Sequence, residues 1–371
     1  MTPVWALIAG GGTAGHVLPG VAIGKALVAA GHEPSSIHYV GSAAGMEGRL
    51  VPEAGFEVTL LPGKGIKRRL TTANLGAGWG LAKASLMALK LVRELRPSIV
   101  ISLGGYASVP CAVAAVALRT PIVVHEQNAV PGAANRLVSR FARVSAVSFP
   151  STELPRAVLT GNPVRTEILA VDRARDRKGA RDELGIMGDS RLVVVFGGSL
   201  GAGRINDAVR QALDSWAKRD DLAVRHIVGR RDWSQVRTGL PDLPADGVSY
   251  QPVEYEARMD LVLAATDLVV CRAGATTVAE LSALGVPSIL VPLPGAPGDH
   301  QTANARYLEQ AGGAVVVSDA ELDGRRLVRE VDDLLVDPVR LASMARAAAG
   351  CGRRDAATRV AALAEAHARR G

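Results

Sequence analysis

Short apolar runs alternate with longer segments of helical period from the start of the chain almost to its end. Residues 4–9, 37–40, 58–61, 99–103, 122–125 and 144–147 are β-branched and nearly unbroken in hydrophobicity. Unbroken apolar strands between helices predict a parallel sheet covered on both faces, because neither side of such a strand can meet water. The pattern then restarts with strands at 192–196, 223–228, 268–271, 288–291 and 314–317 and a helix over about 205–217. The reading is an α/β protein of two doubly wound parallel-sheet domains in tandem. Thr160-Gly161-Asn162-Pro163-Val164-Arg165 has turn chemistry and marks their boundary, since Asn-Pro biases the chain away from helix. The charged stretch 172–183 reads as a solvated helix or loop, and the Ala- and Arg-rich end from Ala342 as helix.

The first apolar strand feeds Gly10-Gly11-Gly12-Thr13-Ala14-Gly15-His16, and 17–30 reads as a helix. Glycines let a backbone turn tightly and approach a ligand. The helix behind them offers unpaired N–H groups and a positive dipole end. Gly10-x-Gly12-x-x-Gly15 matches a dinucleotide fingerprint, but a nicotinamide site also wants an acid at the end of the second strand, roughly 20 residues on. Strand 36–40 ends instead in Gly41-Ser42. His16 falls in the first helical turn, where the positive helix end disfavours imidazolium and lowers the pKa from about 6.5. A neutral imidazole there suits a general base, or a histidine that caps the turn.

The 371 residues are 48% hydrophobic and only 4% aromatic, so the cores are aliphatic. Charged residues make up 21% and are dispersed, which describes a compact, loop-rich enzyme better than a disordered chain. Cys111, Cys271 and Cys351 lie far apart, with no metal spacing and no disulfide framework. No signal peptide is expected, and no run approaches the ~20 apolar residues of a membrane span. A net charge of +7 suits an anionic partner, whether nucleotide, phospholipid surface or nucleic acid.

In parallel α/β sheets ligands sit beyond the carboxyl ends of the strands. Gly104-Gly105-Tyr106-Ala107-Ser108 and His125-Glu126-Gln127-Asn128 fall there in the first domain. In the second, so do Gly197–Gly203, Arg272-Ala273-Gly274-Ala275-Thr276-Thr277 with Glu280, and His300-Gln301 with Asn304. The two glycine-containing turns suit a diphosphate, and Glu280 can reach the two hydroxyls of a ribose. No Asp-x-Asp occurs, so no metal site is expected; leaving-group charge would rest on helix dipoles and a cation such as Arg165. Lys64, Lys67, Arg68 and Arg69 precede a helix bearing Leu75, Trp79 and Leu81, the composition of a surface that lies on anionic lipid. From Leu86 that helix reads as one packed on the sheet.

Taken in order, Gly11-Gly12-Thr13-Ala14-Gly15-His16, Gly104-Gly105-Tyr106-Ala107-Ser108, His125-Glu126-Gln127-Asn128, Gly161-Asn162-Pro163-Val164-Arg165, Gly197-Gly198-Ser199, Arg272-Ala273-Gly274-Ala275 with Glu280, and His300-Gln301 with Asn304 resemble the MurG family of peptidoglycan glycosyltransferases over essentially the whole chain. The resemblance implies a GT-B architecture, two Rossmann-like domains facing across a cleft. Residues 1–163 would take the acceptor and associate with membrane, a terminal helix at about 353–371 would pack back on them, and 164–352 would bind UDP-GlcNAc. It implies inverting transfer of N-acetylglucosamine to the 4-hydroxyl of lipid I, the undecaprenyl-diphosphate-linked muramoyl pentapeptide, to give lipid II. His16 would be the base. Arg165 and Ser199 would contact the diphosphate or nucleotide, Glu280 the ribose, Gln301 and Asn128 the donor sugar. Gly274, Ala275, Thr276 and His300 would line the donor site, and Thr13, Ala14 and Gly15 would lie between donor and acceptor. Gly104, Tyr106 and Glu126 fall on the acceptor side, and Lys67, Arg68, Leu75 and Trp79 in the membrane patch. No cofactor and no nucleic acid are implied. The implied location is peripheral, on the cytoplasmic face of the cell membrane, with cell-wall synthesis or division proteins as further partners. Three positions depart from the family pattern: Ala14 for a glycine, Leu200 for a Gln, and Glu256 for an apolar residue near the uracil. The rival readings are another lipid-directed glycosyltransferase, a UDP-GlcNAc 2-epimerase and a non-catalytic binding module.

Overall fold

In a computed structural model the described residues are 4–62, 73–198 and 201–369, with the side chains at 14, 73–79 and 81 outside the description. Alternate side chains of each central strand feed separate cores. From β1 (Ala6–Gly10), Ala6 and Ile8 join Val17, Ile23, Leu27, Val360 and Ala364, whereas Leu7 and Ala9 join Ala84, Ala88, Val92, Cys111 and Ala115. Both faces are therefore dry, which is why the strands read as unbroken apolar runs.

The chain forms two units, 1–165 with 353–371 and 166–352. The first holds β1, β2 (Ile37–Ser42), β3 (Glu57–Leu61), β4 (Ile99–Gly104), β5 (Ile122–Glu126), β6 (Val144–Val147) and β7 (Ala157–Leu159). They form one parallel sheet in the order β3-β2-β1-β4-β5-β6-β7. The second unit holds β8 (Arg191–Phe196), β9 (Leu222–Ile227), β10 (Ser249–Val253), β11 (Leu268–Cys271), β12 (Ser288–Leu290) and β13 (Ala314–Val316). Their parallel order is β10-β9-β8-β11-β12-β13. Each sheet reverses direction of winding once, between β1 and β4 and between β8 and β11. Those switch points open a crevice at the carboxyl ends of the strands.

Two strands escape the apolar pattern, β7 and β10, and both are edge strands. Ala157 and Val158 are exposed, and β10 carries Pro252 within Ser249–Val253. An edge strand has one unpaired side and tolerates polar residues and proline. The stretch 172–183 is a helix, Arg173–Glu183, but more than a solvated one. Arg173, Arg177 and Arg181 recur every fourth residue and donate to Gly285 O (2.9 Å), Ala265 O (2.9 Å) and Ser190 O (2.6 Å). Asp267 accepts from Arg177 Nη2 at 2.7 Å and ties the helix to the start of β8 through Leu192 N at 2.8 Å.

Candidate functional site

In the first unit the carboxyl ends of β1, β2, β4 and β5 lie side by side and carry the polar residues. β1 runs into Gly11-Gly12-Thr13 and the helix Ala14–Ala29. Thr13 is the N-cap by position, yet its side chain makes no cap bond. Thr13 Oγ1 lies 3.0 Å from Nδ1 of half-buried His16. With Nδ1–H donating to that hydroxyl, Nε2 is the basic nitrogen. The neighbouring turn fits closely against this one: Gly11 N donates to Gly104 O at 3.4 Å, and a Cβ on Gly105 (φ +78) would stand 2.3 Å from Gly11 O. Only glycine satisfies that approach and that φ. Tyr106 stands beside it, its hydroxyl donating to Pro62 O at 3.0 Å and its pKa raised by burial.

Beyond β5 the His125–Asn135 segment is a closed polar network. His125 is fully buried; Nε2–H donates to Gly161 O (3.3 Å), and Nδ1 accepts from Gln127 Nε2 (3.0 Å). Gln127 also donates to Leu103 O at 3.1 Å, tying β5 to β4. Glu126 is equally buried, and both its oxygens are used. Oε1 accepts from Asn128 N (2.9 Å) and Nδ2 (3.4 Å), and Oε2 from Gly132 N (3.0 Å) and Asn135 Nδ2 (2.9 Å). A carboxylate so committed orders its own loop, which is a different task from the acceptor contact that the resemblance implies. Asn128 is half-buried on that loop. In the boundary segment, Asn162 is buried with both polar side-chain atoms unpaired among the described residues, and Arg165 is half-buried.

Complete burial pushes the His125 pKa down to about 4; the Gly161 carbonyl opposes this and the His16 imidazole adds to it. In the second unit, burial likewise pushes His226 down to about 4. The unfolded chain therefore takes up protons that both folded histidines refuse. The stability involved is complete above about pH 6.5 and falls by about 1.4 kcal/mol per pH unit, for each group, down to about pH 4. Thermal melts are expected to show Tm declining through that window, and less steeply in His226→Gln, whose side chain cannot protonate.

In the second unit β8 runs into Gly197-Gly198, and the chain continues through Gly201-Ala202 into the helix Gly203–Trp216. Ser199 and Leu200 lie outside the described residues. A Cβ on Gly201 (φ +84) would meet Val228 O at 2.3 Å. Asn206 backs the turn, its Nδ2 donating to Asp232 Oδ2 (2.8 Å) and its Oδ1 accepting from His226 Nε2 (3.0 Å). β11 leads through Arg272-Ala273 to the helix Ala275–Leu284, whose N-cap Gly274 has no side chain to offer its amides. Thr276 Oγ1 is buried without a hydrogen-bond partner among the described residues, and Glu280 is buried on the same helix.

The loop after β12 is stitched to this turn. Gln301 Oε1 accepts from Ala273 N (3.2 Å) and Leu293 N (3.0 Å), which leaves its amide N–H pair as the end available for a ligand. Asn304 Nδ2 donates to Ala273 O at 3.1 Å. His300 Nδ1 donates to Pro297 O at 2.9 Å. Arg272, absent from the expected contacts, pairs with Asp319 at 2.6 Å and donates to Val291 O and Pro292 O, both at 3.1 Å. It braces the strand ends, which is work inside the fold. Glu256 is likewise turned inward, accepting from Arg225 Nη2 at 2.5 Å and from Arg258 N at 2.9 Å.

Gly274, Ala275, Thr276, Glu280, His300 and Gln301 thus gather at one sheet edge of the second unit, and Thr13, Gly15, His16, Gly104, Tyr106, Glu126 and Asn128 at one edge of the first. Lys67 and Arg68 lie outside the described residues. Leu75 and Trp79 fall on the helix Ala73–Leu95, and their side chains, like that of Ala14, are not described. Among the described residues no group of three His, Cys, Asp or Glu could hold a metal ion.

Residues 6–147 match the glycosyltransferase family 28 N-terminal domain, and 192–360 match its C-terminal domain. The UDP-N-acetylglucosamine--N-acetylmuramyl-(pentapeptide) pyrophosphoryl-undecaprenol N-acetylglucosamine transferase of Acidothermus cellulolyticus is 42% identical, over 97% of this chain and 96% of the relative. The enzyme of the same name from Desulfitobacterium hafniense is 39% identical, over 95% and 96%. The crystal structure of Acinetobacter baumannii MurG superposes with a TM-score of 0.77 at 28% identity, over 99% of this chain and 100% of that one. With the likeness running end to end, the chain belongs to glycosyltransferase family 28 and, within it, to the MurG family of GT-B fold N-acetylglucosamine transferases.

Proposed function

We infer that the chain transfers N-acetylglucosamine from UDP-N-acetylglucosamine to the N-acetylmuramoyl pentapeptide of lipid I, forming lipid II in peptidoglycan synthesis. The observation that carries this is the 42% identity over 97% of the chain to a transferase of that name. In the reading we favour, the first unit takes the acceptor and the second takes the donor. His16 Nε2 removes the proton of the acceptor 4-hydroxyl as its oxygen attacks the anomeric carbon. The bond from that carbon to UDP breaks on the opposite face, so the centre inverts. The Thr13–His16 distance of 3.0 Å supports the assignment, because a hydrogen bond at Nδ1 orients the ring and, with Nδ1–H as the donor, makes Nε2 the basic nitrogen. Buried Glu280 takes the ribose hydroxyls, and the Gln301 amide takes hydroxyls of the sugar. The open amides of the helices behind Gly203 and Gly274 receive the diphosphate with Ser199 and Arg165.

No helix among the described residues is long and apolar enough to cross a membrane. The basic stretch around Lys67 and Arg68, with Leu75 and Trp79 after it, supports peripheral association with an anionic surface on the cytoplasmic side, where the enzyme would meet cell-wall synthesis or division proteins.

The purified chain is expected to release UDP from UDP-N-acetylglucosamine only when lipid I is supplied, with lipid II as co-product. Conversion of the donor without acceptor would make it an epimerase instead, and nucleotide binding without turnover would make it a binding module.

A further inference from the structure

Behind the turn that carries Thr13 and His16 lies a carboxylate that none of the site assignments uses. Glu47 opens the short helix Glu47–Glu53 after β2 and is 2% exposed. Its Oε1 accepts from Gly12 N at 2.6 Å and from Ser42 N at 3.3 Å. Its Oε2 is buried with no hydrogen-bond partner among the described residues. Glycines make way for it on three sides: a Cβ would stand 1.4 Å from Oε1 on Gly11, 1.8 Å from Oε2 on Gly45, and 2.6 Å from the Glu47 Cβ on Gly41.

Two contrasts give this arrangement meaning. A carboxylate that only shapes a loop satisfies both oxygens, as Glu126 does with its four donors. Glu47 satisfies one, and leaving a buried polar oxygen unpaired is costly. Second, glycine-rich strand-to-helix turns ordinarily receive an external anion on their amides. Here one of those amides, Gly12 N–H, is already engaged by an internal anion through a short, charge-assisted bond.

We propose that Glu47 is a built-in anion occupying the place a phosphate would take in the first unit's glycine turn, and that by holding Gly12 it is a positioning residue for the Thr13–His16 pair. The proposal rests on the reading of His16 as base. It also sets this turn apart from an anion-receiving turn of the same spacing, since its Gly12 amide is already engaged.

Glu47→Ala is expected to lower kcat at least about tenfold, with KM for UDP-N-acetylglucosamine within about twofold, since the donor is held elsewhere. The vacated space is the size of a small carboxylate, so sodium formate should restore kcat where sodium chloride at equal ionic strength does not. Glu47→Gln keeps an acceptor for Gly12 N–H without the charge and should fall between wild type and Glu47→Ala. Gly45→Ala supplies an independent reading. The three nearest atoms to its new Cβ all belong to Glu47, so it should impair the wild type and add nothing to Glu47→Ala. A Glu47→Ala enzyme with wild-type kcat, or a loss insensitive to formate with an additive Gly45→Ala, overturns the proposal. Should Glu47→Ala fail to fold, a folded Glu47→Gln with wild-type kcat overturns it equally. His16→Ala assayed alongside separates the two readings: activity retained there, with Glu47→Ala impaired and rescued, keeps the hold of Glu47 on the turn and removes only the base.

Discussion

His16→Ala is expected to lower kcat by about 10²–10⁴-fold, the usual contribution of a positioned general base. That is about 3–5 kcal/mol of transition-state stabilisation. The loss should fall on kcat, because a base acts on the proton in flight and adds little to either ground-state complex. KM for UDP-N-acetylglucosamine should stay within about twofold, since the donor contacts proposed for Glu280 and Gln301 lie in the other unit. Tm should hardly move, because the ring is half-buried and Thr13, which it bonds, is exposed. Thr13→Val should cost less, removing the ring's orientation and leaving the base. The split between kcat and KM is the decisive control. Wild-type turnover in His16→Ala would remove the base from the mechanism.

Much of the fold is legible in the sequence because the central strands are buried on both faces, and double burial writes itself as an unbroken apolar run. Where a strand lies at an edge the signal fades, and β7 and β10 are both edges. Residue type points to the candidate site with similar limits. Glycines before helices, and His, Glu, Gln and Asn at strand ends, cluster at the carboxyl ends of the strands of each sheet. What those letters do not carry is direction. Glu126 is spent on its own loop, and Arg272 and Glu256 on partners from distant parts of the chain. Glu47 is the sharpest instance. The acid sought at the end of β2 is absent at Gly41-Ser42 and stands five positions beyond Ser42, reaching back to an amide 35 residues earlier. No local pattern records a pairing at that separation, although two glycines, Gly41 and Gly45, on the approach to a single acid are a trace of it.

Glu126 gives the test with the largest expected effect on stability. Glu126→Ala takes the acceptor away from half-buried Asn128 N, Gly132 N and buried Asn135 Nδ2 at once. Each buried donor left unpaired costs about 1–3 kcal/mol. Allowing for relaxation and entering water, the loss should be about 3–5 kcal/mol, comparable to breaking a buried ion pair. For a domain of this size, that lowers Tm by about 6–20 °C. Glu126→Gln should lie between, since it keeps one oxygen but turns an NH₂ group toward donors. Activity should fall with the fold, because Asn128 rides on the loop that Glu126 orders. A direct acceptor contact makes the opposite forecast: KM for lipid I rises while the melting curve stays where it was. Calorimetry beside a lipid I titration separates them, and an unshifted Tm in Glu126→Ala would return the carboxylate to the substrate.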